Sequence, residues 1–344
     1  MKKNNPFTLT FGKQPSEYIS RYENIDTVIS TFDGENPLSQ TYLIEGIRGS
    51  GKTVLMTSIT KTLSKSDEWI IVDLNSTQDL IDDLAMRLSD VCQRIGEVSA
   101  DVSLSLGGFG INVSKNVPAR DSVSIIESIL RSLQKRKKKV LITIDEVMHD
   151  QNMRYFASEF QLFVRKDYPL FLIMTGLYEN IYAIQNDPAL TFLLRAPKIR
   201  LEPLSMRQIT KQYSDIFEVP IDEAKTLANI TKGYAFAFQA LGMLYWEYRD
   251  SLELDDILSK LDDMLDDFVY KKIWESLSEN DRRIVLAITE EETKVKDICD
   301  KLSMTSASFS RYRERLLKKG LITSSQYGYI SLMLPRFVQV AELY

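Results

Sequence analysis

The chain is predicted to be an α/β protein: a parallel sheet with helices on both faces, then an α-helical lid, then a winged helix-turn-helix domain. Three observations predict this. Up to Leu204, apolar runs of strand length alternate with helical patterns, as in a sheet buried on both sides. From Ser205 the pattern turns wholly helical. Near the C-terminus, three short helical stretches precede two strand-like runs around Gly328. A length of 344 residues suggests two or three domains, which we divide as 1–204, 205–272 and 273–344.

Composition excludes several classes. The apolar fraction of 44% and charged fraction of 26% belong to a soluble globular protein. No apolar run approaches the roughly 20 residues that span a bilayer, and MKKNNPFTLTFG does not read as a signal peptide. Cys92 and Cys299 lie far apart without Cys or His neighbours at ligand spacing, against a disulfide framework or a cysteine metal site. A cytoplasmic setting with no membrane partner follows as the expectation. The net charge of −5 confines any nucleic-acid contact to a local basic surface.

Residues 40–45 read as the first buried strand. They lead into Gly46-Ile47-Arg48-Gly49-Ser50-Gly51-Lys52-Thr53, which fits the phosphate-binding loop G-x-x-x-x-G-K-[ST] of P-loop NTPases. Residues 53–63 follow with helical spacing through Val54, Met56, Ile59 and Leu63. Glycines let successive amides turn inward around a phosphate, and the helix N-terminus adds partial positive charge. ATP contacts are therefore expected from Gly46 through Val54. Lys52 would reach the β- and γ-phosphates and the Thr53 hydroxyl would ligate Mg²⁺.

Residues 69–75 form a second strand candidate, followed by a helix over 78–95. An insertion of about 99–116 carries a β-hairpin pattern over 101–114 around Gly107-Gly108. We read it as a flap, with Phe109 as the point of partner contact in the alternative. A helix over 122–135 runs into Lys135-Arg136-Lys137-Lys138-Lys139, read as a solvated helix end rather than a nucleic-acid patch. The third strand, 139–146, ends in Asp145-Glu146. Asp145 can hold Mg²⁺ beside the phosphate loop and Glu146 can deprotonate the attacking water.

A helix over 153–165 precedes the fourth strand, 169–176. Thr175 at its end can sense a γ-phosphate, or be an ordinary strand terminus. Asn75, at the end of the second strand, can hold Glu146 or simply make a turn. Residues 198–201 are a short fifth strand. Arg195, just before it, can serve the nucleotide of a neighbouring subunit or be a plain surface cation. His149, the one histidine, is read as solvated.

Three helices follow at 206–217, 221–231 and 234–248, with breaks at Pro220 and Gly233. The acidic stretch 252–268 reads as a solvated connecting helix, with Ile257, Leu261, Leu265 and Phe268 on one face. Then Ser278-Glu279-Asn280-Asp281 can cap a helix over 282–289. Helices over 295–302 and 306–319 follow, Gly320 stops the last, and strands over 321–324 and 329–332 form a wing. Within this winged helix, Thr305, Ser306 and Ser308 would face base edges, and Arg311, Arg313 and Arg315 would face phosphates of double-stranded DNA. The alternative is a module for protein contacts.

With these residues in place, the chain resembles, over nearly its whole length, the AAA+ ATPases of the origin-recognition (Orc/Cdc6) and STAND-like group. GIRGSGKT and LITIDE match the Walker A and Walker B elements, and Met174-Thr175-Gly176 stands where that group has sensor 1. Asn5-Pro6-Phe7, Phe11-Gly12, Pro15 and Ser20-Arg21-Tyr22-Glu23 look like its N-terminal segment near the adenine. Ser20 replaces a Gly there and Tyr22 intervenes before Glu23, so Arg21 is the residue that carries over. Arg195-Ala196 and Leu201-Glu202-Pro203-Leu204-Ser205 look like the Arg-containing stretch and the strand leading to the lid. In Lys232-Gly233-Tyr234-Ala235-Phe236, relatives show Gly-x-Pro and then a sensor 2 Arg, where this chain has Ala235 and Phe236.

The resemblance implies an ATPase using ATP and Mg²⁺, whose nucleotide state controls a DNA-binding winged helix in replication, mobile-element maintenance or regulation. It also implies a homo-oligomer in which Arg195 acts in trans. The lid departure makes slow turnover plausible, so the alternative is a STAND-like signalling or defence switch that binds a protein partner. A chain ending shortly after the wing counts against the full STAND architecture.

Overall fold

The computed structural model describes residues 4–10, 15–34, 37–94, 96, 119–289 and 292–344. The hairpin expected at 101–114, with Phe109, lies outside the described residues, as do Phe11 and Gly12. The chain divides into two compact units.

The first unit comprises Arg21–Glu45 and Lys52–Arg200. Its strands are β1 (Thr41–Glu45), β2 (Trp69–Leu74), β3 (Lys139–Ile144), β4 (Leu170–Gly176) and β5 (Lys198–Arg200). They form one sheet in the order β2-β3-β4-β1-β5, every neighbouring pair parallel. Every residue of β1 and β4 is buried, which is why the run Leu170–Met174 of β4 is apolar without alternating. β5 at the edge alternates exposed, buried, exposed.

Among the described residues, six helices accompany the sheet: α1 (Tyr22–Asp33), α2 (Lys52–Leu63), α3 (Leu80–Arg94), α4 (Ala119–Lys135), α5 (Gln151–Arg165) and α6 (Tyr178–Gln185). On one face Leu170, Leu172 and Met174 of β4 join a core with Leu84 of α3, Ile129 of α4 and Phe156 of α5. On the other, Phe171 meets Phe32 of α1 at 4.9 Å and Trp69 at 5.0 Å between ring centroids. The pairings Ile144 with Met174 and Ile44 with Thr175 bring the carboxyl ends of β1, β3 and β4 level. The third strand ends at Ile144, so Asp145 and Glu146 stand just beyond it.

The second unit comprises Met1–Ser20, Gly46–Gly51 and Leu201–Tyr344. Helices α7 (Met206–Phe217), α8 (Ile221–Thr231) and α9 (Ala235–Tyr248) form a bundle. Phe7 from the N-terminal segment is buried in it, 5.9, 5.6 and 5.7 Å from the rings of Tyr213, Phe217 and Phe238. Gly242 makes the room, since a Cβ there would come within 2.6 Å of the Phe7 ring.

Helix α10 (Leu254–Leu265) passes through a π-helical turn, Asp266–Tyr270, into α11 (Lys271–Glu275). Ile257, Leu261 and Leu265 are buried as expected, but Phe268 is 60% exposed. The wider π turn rotates the following face, so Val269 and Tyr270 take the buried positions instead.

The C-terminal part holds α12 (Glu279–Val285), α13 (Val295–Leu302), α14 (Ser306–Lys318) and α15 (Phe337–Ala341). Strands β6 (Thr293–Lys294), β7 (Ile322–Thr323) and β8 (Tyr329–Leu332) form an antiparallel sheet in the order β6-β8-β7. The helix expected over 282–289 starts earlier and stops at Val285. Ser278 is its N-cap, in a capping box with Asp281, which places the helix start three residues before Arg282. Strand β6, two residues long, was too short to leave a periodic signal. Among the described residues, no helix is long and apolar enough to cross a membrane.

Candidate functional site

In the first unit the level strand ends and the start of α2 bring four predicted residues together: Thr53, Asp145, Glu146 and Thr175. The Thr53 hydroxyl donates to Asp145 Oδ2 at 2.7 Å. The Thr175 hydroxyl donates to Asp145 Oδ1. The Glu146 N–H is shared between Asp145 Oδ1 at 3.1 Å and Thr175 Oγ1 at 3.2 Å, and the Val147 N–H donates to the Thr175 carbonyl at 2.8 Å. Both carboxylate oxygens are thereby fixed in direction. Glu146 is exposed and adopts a left-handed backbone, φ 51°, which costs an ordinary residue about 1–2 kcal/mol. Such strain persists where surrounding bonds over-determine it, as the Glu146 N–H bonds do here.

The oxygens suit a hard cation. Adjacent ligands of an octahedral Mg²⁺ lie about 2.9 Å apart, close to the Thr53–Asp145 separation. Lys52 is buried at the start of α2, whose own first turn carries no acid. Val54 follows in the same turn, half-buried.

In the second unit, Gly46–Gly51 form the loop that runs by chain into Lys52. Gly49 and Gly51 have φ of 75° and 93°, which only glycine adopts freely. The Ser50 N–H closes a turn on the Ile47 carbonyl at 3.2 Å. The start of α9 grips this loop from outside. The Tyr234 hydroxyl donates to the Arg48 carbonyl at 2.6 Å, and the Phe236 N–H donates to the Gly49 carbonyl at 3.1 Å. Burial pushes the Tyr234 hydroxyl far above its usual range, so it stays a protonated donor. The Tyr234 ring stacks with Tyr270 at 6.4 Å, and the Tyr270 hydroxyl donates to the Pro335 carbonyl at 2.6 Å. Ile47 packs against the core of this unit, and a Cβ on Gly320, just past α14, would lie 3.2 Å from its Cγ2. Sequence reasoning saw at Tyr234–Phe236 only the lack of an Arg and missed the Tyr234 bond, because its acceptor is a main-chain carbonyl.

Other predicted residues fall elsewhere. Arg21 directly precedes α1 and is half-buried. Arg195 ends a 3₁₀ turn, Thr191–Arg195, and is exposed. It leads into the amino end of β5, so it lies at the end of the parallel sheet opposite to Asp145 and Thr175. There it borders a cavity of about 280 Å³ with Gln40, Phe160 and Arg165. The Asn75 side chain accepts from the Thr77 N–H and hydroxyl at 3.0 and 2.9 Å, which makes it a turn residue. His149 is not simply solvated: its Nε2 lies 2.7 Å from Asp187 Oδ2, beside Arg154. The His149 bond foremost, with the Ala189 N–H and Arg154, holds the Asp187 carboxyl down to about 2.

Lys135, Arg136 and Lys137 of the basic run are exposed, as expected of a solvated helix end, while Lys138 and Lys139 also bond to their own chain. Lys138 donates to the Asp67 carbonyl at 2.7 Å, and Lys139 donates to the Phe32 carbonyl at 3.2 Å while lying over Trp69. On α14, Thr305 caps the helix, accepting from the Ser308 N–H at 3.2 Å. Thr305, Ser306 and Arg311 are exposed and Ser308 is half-exposed. Arg315, expected at phosphate, is exposed and is also engaged within the chain. Its guanidinium donates to Asp281 at 2.6 and 3.2 Å and to Ser278 at 2.9 Å, and Asp281 is 1% exposed. Arg313 likewise turns to the Ser324 hydroxyl, at 2.8 Å.

A family model described as a domain of unknown function (DUF8462) matches residues 267–339. No curated protein matches the chain. Among solved structures, the chain is similar to a Walker-type ATPase of Pyrococcus abyssi, with 14% identity, 98% of this chain and 99% of that chain covered, and a TM-score of 0.67. It is similar to the ORC2 protein of Aeropyrum pernix in ADPNP–ADP complexes, with 15% identity, 97% and 96% coverage and a TM-score of 0.61. It is also similar to the ORC1 protein of Aeropyrum pernix in complex with DNA, with 14% identity, 95% and 93% coverage and a TM-score of 0.50. At these identities the likeness shows the fold, a P-loop ATPase fold of the Orc/Cdc6 type.

Proposed function

We propose that this chain, with its P-loop ATPase fold, binds and hydrolyses ATP with Mg²⁺ and that its nucleotide state controls the C-terminal module. The observation that carries the reading is the convergence of Thr53, Thr175 and the Glu146 amide on the Asp145 carboxylate. Thr53 and Asp145 would hold Mg²⁺, which supplies charge neutralisation across the β- and γ-phosphates. Lys52 and the amides from Gly46 to Val54 bind the phosphates. Glu146 takes the proton of the attacking water, and Thr175 keeps Asp145 oriented and senses the γ-phosphate. Arg21 lies toward the adenine. Arg195, at the far end of its own sheet, acts on the nucleotide of a neighbouring copy.

Helices α12, α13 and α14 with the antiparallel sheet, within residues 273–344, serve as a winged helix. Thr305, Ser306, Ser308 and Arg311 are the residues that meet double-stranded DNA, and one structure of similar fold was solved with DNA. A second reading has its own support. The inward turn of Arg313 and Arg315 thins the basic face of α14, which suits a slow nucleotide switch whose module binds a protein. Steady-state ATP hydrolysis with and without duplex DNA, over a salt series, separates the two. DNA stimulation that weakens with salt supports the first, because phosphate contacts release counterions. Turnover indifferent to DNA supports the second, and absence of Mg²⁺-dependent turnover overturns both.

A further inference from the structure

We infer that Tyr234 is a positioning residue for the nucleotide, the group by which the lid bundle sets the phosphate loop in its binding shape. The inference rests on the ATP reading above. A trans peptide is planar and its C=O and N–H point in opposite directions. Holding the Arg48 carbonyl with the Tyr234 hydroxyl therefore aims the Gly49 N–H away from Tyr234, leaving it to a phosphate in the proposed site. One peptide further on, the Phe236 N–H holds the Gly49 carbonyl, and the Ser50 N–H on the far side closes the turn on Ile47.

Gly49 and Tyr234 interlock. Any Cβ at Gly49 would meet the Tyr234 ring carbon Cζ at 2.9 Å and Phe236 Cβ at 3.1 Å, in a backbone of φ 75°. Tyr234 is 5% exposed, and its ring is backed by Tyr270, so the hydroxyl has a fixed direction. The lid has Ala235 and Phe236 at the positions where the resemblance would put a sensor 2 Arg. Its grip on the nucleotide is indirect, through the main chain of the loop.

The bundle supplies a matched control. Tyr213 is also fully buried, and its hydroxyl donates to the Phe238 carbonyl at 2.6 Å, a bond of the same kind within the lid core that does not involve the loop. The test is equilibrium binding of Mg²⁺–ATP, with kcat and KM, for the full chain and for Tyr234→Phe and Tyr213→Phe. Tyr234→Phe is expected to raise Kd and KM about five- to tenfold with kcat within about twofold, the pattern of lost ground-state positioning. Tyr213→Phe is expected to melt earlier but to keep the Kd and KM of the unsubstituted chain. An unchanged Kd in Tyr234→Phe, or an equal rise in both variants, would overturn the inference and leave the hydroxyl a support of the bundle. Failure of the unsubstituted chain to bind ATP would overturn the nucleotide reading itself, before any substitution is compared.

Discussion

The Thr53 hydroxyl and the Asp145 carboxylate meet at 2.7 Å although they are 92 residues apart in the chain. That bond joins the first turn of α2 to the end of β3, and it puts two oxygen ligands where one Mg²⁺ can take both. Thr53→Ala is expected to lower Mg²⁺–ATP hydrolysis about a hundredfold, the size of a lost metal contact. The measurement is kcat/KM across a Mg²⁺ titration, which in the variant should demand much higher Mg²⁺. An unchanged Mg²⁺ dependence would remove Thr53 from the metal.

Two arginines four residues apart on α14 are expected to behave oppositely. Arg315→Ala leaves the buried Asp281 carboxylate without its cation, and should destabilise the C-terminal module by about 1–3 kcal/mol. Arg311→Ala removes an exposed cation and should leave melting unchanged. If the module binds DNA, Arg311→Ala should weaken it severalfold and lower the salt slope by about one. Thermal melts and a salt series of duplex titrations read both effects. An Arg311→Ala variant that binds duplex as the parent does would favour the protein-contact reading.

Asp187 gives a pH signature with a defined sign. Its folded value of about 2 lies below the ordinary 3.8, so the folded state favours the ionised form. The stabilisation is fully present above about pH 4 and is lost as pH falls through 2. His149 and Arg154 are the charged or titratable side chains bonded to it. Asp187→Asn should melt earlier than the parent near neutrality, with the difference closing between about pH 4 and 2. A difference independent of pH in melts across that range would show that the charge of Asp187 is not what the fold uses.

Much of this architecture was legible because its signals are local. Strands β3 and β4 announce themselves as uninterrupted apolar runs, and the glycines of Gly46–Gly51 mark backbone that other residues strain to adopt. Thr175 was legible only as one of two readings, because its bond to Asp145 depends on strand order, and adjacent strands need not be consecutive in sequence. The pairing of Arg315 was not legible because sequence displays a basic helix, whereas the acid that bonds it sits 34 residues earlier on α12. Phe268 was misplaced because a π turn changes the helical period within the element. Tyr234 was invisible as a functional group because its acceptor, the Arg48 carbonyl, is main chain and 186 residues distant.

The central claim is metal-assisted ATP hydrolysis with Glu146 as the base. Glu146 is exposed, its backbone is held by Asp145 and Thr175, and Gln at this position keeps size and hydrogen bonding while losing the basic carboxylate. The most direct test is ATP turnover by the full chain and by Glu146→Gln, with ATP binding measured on both. Mg²⁺-dependent turnover is expected to fall at least about a hundredfold in Glu146→Gln while ATP affinity is kept. Equal turnover in the two proteins would contradict this claim.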